Sequence, residues 1–215
     1  MDASAGAKEP GTAVKSQVKN QKQSDSRVAS NVRDEGPRER VAEFLHTHGA
    51  DEIAHLDGSL FDHLERTELL LRGWGSTETV SLAGLCHAVY GTDGFPTALL
   101  TLEERNVVSE VAGSDVEALV YLYASCDRGY AYARLSGSAQ RPFKDRFTGR
   151  TFKPTQAELR DFVDITLANE FDVGIVGPKA NEPPKWLMAM FRHFQTLASG
   201  PVRDWFEPLV STTCR

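Results

Sequence analysis

From Pro37 onward, apolar residues recur at helical spacing with polar residues between them. Val41, Phe44 and Leu45 share one face of a first segment that stops at Gly49. A second segment opens on a Ser59 cap, repeats Leu60, Leu64 and Leu71, and ends at Gly73. A third starts from a Ser76 or Thr77 cap and carries Leu82, Leu85 and Val89 as its buried stripe. Two more, "TLEERNVVSEVAG" and "SDVEALVYLYASCDR", form a helical pair around Gly113-Ser114. In "RPFKDRFTGRTFKPT" the pattern changes: Phe147-Thr148 and Thr151-Phe152 flank Gly149, which predicts a short β-hairpin. After Pro154-Thr155 a long helix runs to Gly174, and the Pro-rich "GPKANEPP" leads into "KWLMAMFRHFQTLASG" and a closing "VRDWFEPL". There is no internal repeat. The predicted fold is all-α with one small β-hairpin, built as a single helical domain over residues 37–215.

Residues 1–36 have a different composition. They contain no aromatic residue, no Leu and no Ile, and are rich in Ser, Lys, Gln, Ala and Gly. Such a segment cannot bury enough apolar surface to offset the entropy of ordering it, so it is predicted to be a disordered tail. The whole chain of 215 residues, 40% hydrophobic, suffices for one sizeable core. A formal charge of −6 argues against nucleic acid and against anionic membrane surfaces as partners. Three scattered cysteines, Cys86, Cys126 and Cys214, suit neither a disulfide framework nor a zinc ribbon, and imply reduced thiols. No apolar run approaches the roughly 20 residues that span a bilayer, and no secretion-type apolar segment stands near the N-terminus. The expectation is a cytoplasmic protein with a small-molecule substrate; the sequence does not specify an oligomeric state.

Three residues then change the picture. His63 in "FDHLER", His87 in "LAGLCHAV" and Asp127 in "YASCDR" each interrupt a mainly apolar helix with a side chain able to bind metal. Two imidazoles and one carboxylate form a ligand set that holds a divalent cation with open positions. His55, eight residues before His63, can return from its loop as a further ligand or as a catalytic acid. Tyr90, three residues after His87, would share its helical face and reach the same pocket as a catalytic hydroxyl. Asp62 could orient an imidazole, and Arg128 or Arg146 could bind a substrate anion. Asn169, Glu170 and Asp172 stand on a helix with Ile165 and Leu167; Asn169 or Glu170 could face the pocket, but a solvated face is the simpler reading. His46 and His48, two residues apart, diverge by roughly 200° on a helix and cannot chelate together. Cys86 and Cys126 precede proposed ligands and should point into the core.

The order and setting of His63, "LAGLCHAV" and "VYLYASCDR" resemble the HD-domain superfamily over about residues 40–130. In that superfamily an all-helical bundle binds metal through a His, a His-Asp doublet and a distal Asp. The resemblance implies His63, His87 and Asp127 as ligands. Here the doublet is His87-Ala88, and a methyl group coordinates nothing, so the resemblance is to a degenerate member with one metal rather than two. "HGADEIAHLDGSLFDHL", "LAGLCHAVYGT" and "RFTG" are similar to an uncharacterised family of HD-like proteins. The implied function is a metal-dependent enzyme using one divalent ion (Zn, Mn or Fe), most simply a hydrolase acting on a small polar molecule. A mononuclear non-haem iron oxygenase and a non-catalytic HD-fold binding module are the alternatives.

Overall fold

A computed structural model of the protein describes residues 36–135, 140–176 and 184–212. The predicted tail, apart from Gly36, and most of the "GPKANEPP" loop lie outside the described residues. The elements are α1 (Pro37–Thr47), β1 (Ala54–His55), β2 (Gly58–Ser59), α2 (Leu60–Gly73), α3 (Glu78–Cys86), a 3-10 turn (Leu102–Glu104), α4 (Arg105–Ala112), α5 (Ser114–Ser125), α6 (Arg128–Leu135), β3 (Phe143–Lys144), β4 (Thr151–Phe152), α7 (Gln156–Ile175), α8 (Lys185–Phe194) and α9 (Gly200–Thr212). The all-α expectation holds. No helix among the described residues is long and apolar enough to cross a membrane.

Helix starts follow local chemistry. Ser59 and Asp62 form a reciprocal capping box on α2, and Thr155 and Glu158 do the same on α7. The Thr77 hydroxyl caps α3 by accepting from Val80 N. Asp62 therefore serves the end of its own helix and orients no imidazole.

Helix α3 sits at the centre, packed on α1, α2, α5 and α7. Every residue from Val80 to Cys86 is buried, as expected for a helix with no polar face. Gly84 sets how near α2 can come: a Cβ there would lie 2.3 Å from Leu71 Cδ1. This close approach brings His63 of α2 and His87, at the end of α3, side by side. Helix α7 closes the other flank of α2 and α3. Beyond it an aromatic cluster of Trp74, Phe171, Phe191, Trp205 and Phe206 fastens α8 and α9.

Among the described residues two antiparallel strand pairs are present where one hairpin was predicted. In the predicted one, Phe143 pairs with Phe152 and Lys144 with Thr151. Its first strand precedes Phe147, because the Asp145 carboxylate accepts from the backbone N–H of Phe147 and Thr148 and turns that stretch into the loop. The unexpected pair, Ala54–His55 with Gly58–Ser59, leads into α2 and fixes His55 beside it.

Asp164 of α7 is 2% exposed and accepts from the backbone N–H of Ser199, just before α9. Burial pushes its carboxyl up to about 6. The folded state then holds its proton more tightly than the unfolded chain does. This group's effect on stability is absent below the unfolded value near pH 4 and grows into a full penalty above pH 6. Asp164→Asn keeps an acceptor for Ser199 and removes the charge. Denaturant titration should show it to be more stable than the parent by about 2–3 kcal/mol at pH 8, with the gain vanishing near pH 4.

Candidate active site

His63 lies one turn into α2, and Arg66 follows on the same face. Asn169 and Asp172 have the same spacing on α7, so the two helices meet along these pairs. His63 Nδ1 donates to Asp172 Oδ2 at 2.7 Å. Arg66 binds the same carboxylate through Nε (2.6 Å) and Nη2 (3.0 Å). Burial opposes the charge on Asp172, but the bonds from His63 and Arg66 outweigh it and hold the carboxyl below its usual range.

His87 caps the C-terminus of α3 and donates from Nδ1 to Gly84 O at 2.7 Å. A core helix ends in an imidazole because that ring satisfies one of the helix's own last carbonyls. Burial, then the neighbouring His63, push His87 down to about 3, so it is neutral at pH 7.

In the tautomers that donate through Nδ1, both Nε2 atoms carry lone pairs, and these face each other at 3.3 Å. Asn169 Oδ1 lies 3.1 Å from His63 Nε2. Its orientation is set by its own Nδ2, which donates to Glu170 Oε1 at 3.1 Å. Three acceptors therefore converge, with His63 and His87 2% and 1% exposed. Buried acceptors that face one another are costly unless a positive charge, a cation or a shared proton, lies between them.

Above these atoms opens a cavity of about 210 Å³. His55 lies at its wall, 4.6 Å between ring centroids from His63 and 4.6 Å from Phe95. Burial, then His63, lower the His55 imidazole, which is neutral at pH 7. Phe95 is held by a closed loop in which Thr92 N and Phe95 O, and Phe95 N and Thr92 O, bond at 2.7 and 3.2 Å. Gly91 (φ +66) makes that loop possible, since a Cβ there would lie 2.8 Å from Pro96 O. Arg128 and Glu170 complete the polar wall and pair at 3.1 Å.

The structure brings together His55, His63 and His87, but not Asp127 or Tyr90. Asp127 does not line the cavity. It caps α6, accepting from Tyr130 N at 2.9 Å and from Lys144 Nζ at 2.8 Å. The Lys144 and Tyr130 bonds hold its carboxyl low. The backbone turns extended at Cys126, so a new helix starts and its first residue, Arg128, takes the place by the cavity. Tyr90 was expected at helical spacing from His87, yet α3 ends at Cys86 and the chain turns through Gly91. Its hydroxyl donates instead to Glu117 Oε1 at 3.2 Å, beside Arg105. Arg146 is spent on Ala124 O. Cys86 and Cys126 are buried, whereas Cys214 lies outside the described residues. Asp127→Ala should lower stability by about 1 kcal/mol through the lost cap, while cation binding measured by calorimetry stays at the parental value.

Asn169 and Asp172 are the residues that sequence reasoning placed on the wrong side. The signal was the length of the buried run: from Phe162 to Asn169 every α7 residue is buried. A helix that is apolar all round has no solvated face, so its polar residues must be paired inside.

Among the described residues no group of three or more His, Cys, Asp or Glu side chains is arranged to hold a metal ion, and the converging set here has an amide oxygen as its third member. No curated protein and no solved structure matches the chain. Residues 44–128 are similar to a family described as a domain of unknown function (DUF6817), a span that includes His55, His63, His87 and Arg128 and stops before Asn169 and Asp172.

Proposed function

We propose that His63, His87 and Asn169 hold one divalent cation (Zn, Mn or Fe) and that the protein is a metal-dependent enzyme, most simply a hydrolase of a small polar molecule. The observation that carries this reading is the convergence of three buried acceptors, each locked from behind. Their spacing suits the role: donors about 2.0–2.1 Å from a tetrahedral ion lie about 3.3–3.4 Å apart, and from an octahedral ion about 2.9–3.0 Å. The observed separations, 3.3 and 3.1 Å, fall in that interval. Asp172 behind His63 and Gly84 O behind His87 are the outer partners that fix tautomer and ring orientation at metal sites.

A bound divalent ion would polarise a substrate oxygen and lower the pKa of coordinated water. The protein's own groups do the rest. Neutral donors leave the ion's charge undiminished, which favours Lewis acidity. The absence of a carboxylate among the inner donors suits hydrolysis better than the two-His, one-carboxylate iron oxygenase. His55, neutral and beside His63, can accept a proton from water at its free ring nitrogen. Ala88 supplies no ligand for a second ion. In HD-type terms the site is doubly degenerate, with Ala88 in the doublet and Asn169, rather than Asp127, as the third donor. A cytoplasmic location belongs to the same reading, supported by the free, buried thiols of Cys86 and Cys126.

The test is a panel of small esters, amides and phosphoryl compounds assayed with and without added Mn²⁺ or Zn²⁺. Turnover that needs the cation and disappears in His63→Ala is expected. Cation binding without turnover of any compound would favour the binding-module alternative.

A further inference from the structure

We infer that Arg128 anchors an oxyanion in the cavity, and that the molecule bound there is a compact organic anion with a short apolar body. This deepens the reading above and rests on its cation.

Arg128 is fixed at both ends. Its backbone N–H donates to Asp93 Oδ2 at 2.9 Å. Its guanidinium lines the cavity, with Nη1 on Glu170 Oε1 (3.1 Å) and Nη2 on the Tyr123 hydroxyl (3.2 Å). A guanidinium has five N–H donors, and these two bonds leave others of the fork, Nε among them, able to donate. Gly94 keeps the space beside it open, since a Cβ there would lie 3.2 Å from Nη1. Burial opposes the charge, but Tyr123, Tyr132 and Glu170 hold Arg128 above the ordinary arginine value, so it stays cationic.

Charge balance gives the sign of the ligand. Arg128 is matched by Glu170 and Arg66 by Asp172. The cation's two charges then have no counter-charge in the cavity, and an anion supplies it. With a cation held by His63, His87 and Asn169, one oxygen of that anion would meet it and another would meet the Arg128 fork, which lines the same cavity. The lining also includes Leu56, Leu60, Phe95 and Val173, whose side chains suit a short hydrocarbon. A volume of about 210 Å³ equals about seven water molecules, which limits the enclosed part to a small acid.

Calorimetric titration of the full-length, Mn²⁺-loaded protein with acetate, butyrate and inorganic phosphate tests this. Butyrate should bind more tightly than acetate, by up to about fourfold for each added methylene buried. Arg128→Gln should weaken butyrate at least tenfold while metal content, measured by plasma mass spectrometry, stays unchanged. Because Arg128→Gln leaves Glu170 without its guanidinium, with the Asn169 amide as partner, and can unfold the chain, Gly94→Val is the second variant. It leaves Arg128 in place, crowds Nη1, and should weaken butyrate likewise. Unchanged butyrate affinity in a folded, metal-loaded Arg128→Gln or Gly94→Val protein overturns the anchor and leaves the cation reading intact. Binding of phosphate alone overturns the apolar body and supports the oxyanion anchor. Metal loading without affinity for any of the three anions overturns the whole inference. If the protein takes up no metal yet binds butyrate through Arg128, the anchor stands and the cation reading fails.

Discussion

Asp172→Ala should destabilise the protein by roughly 3–5 kcal/mol and abolish its retention of a divalent cation. Asp172 is fully buried, and both Arg66 and His63 Nδ1 are hydrogen-bonded to its carboxylate. Removing it strands a half-buried guanidinium and a buried N–H at once, and removal of one partner of such a pair costs more than the pair's net worth. The ring of His63 would also lose the contact that keeps its Nε2 lone pair aimed at His87. Asp172→Asn separates the two effects. The amide oxygen can serve one donor, but its NH₂ then faces the other, so stability falls less and cation affinity drops about 10–100-fold. Urea titration measures the first effect and cation titration the second. Asp172→Ala with parental stability would show that the Arg66–Asp172–His63 chain of bonds contributes nothing to the fold.

His87→Ala should have the largest effect on cation binding with the smallest structural penalty. It removes one of the three proposed donors outright and exposes no charged group. The costs are the lost contact with the Tyr123 ring, 5.2 Å between centroids, and a Gly84 carbonyl left without its donor. A loss of about 2–3 kcal/mol is expected, within a typical total stability of about 5–15 kcal/mol, so the fold survives. Metal content should fall to background while the circular dichroism spectrum is retained. Undiminished metal content in His87→Ala would remove that imidazole from the donor set.

Much of this was legible in the sequence, and the failures have physical causes. The helices were readable because α1 and α2 carry apolar residues at helical spacing and because Ser59 and Thr77 cap α2 and α3. His63 and His87 were readable because each sits in an apolar run where an imidazole must find a partner. Asp127 misled because it stands next to Arg128 at a helix start, and a shift of one residue exchanges a capping carboxylate for a cavity guanidinium. Tyr90 misled because helical spacing was continued past Cys86, where the chain had already turned. Asn169 and Asp172 were hidden by the habit of reading polar residues as an exposed face, although α7 is buried on every side over that stretch. The β1–β2 pair, two residues per strand, is too short to show an alternating pattern.

The most direct measurement is a crystal structure of the protein grown with zinc, with anomalous scattering recorded at the zinc edge. A single peak should lie between Nε2 of His63, Nε2 of His87 and Oδ1 of Asn169, about 2.0–2.2 Å from each. Density lacking any such peak, with the two Nε2 atoms still at 3.3 Å and a proton shared between them as the only positive charge, would contradict the cation site and with it the proposed enzyme.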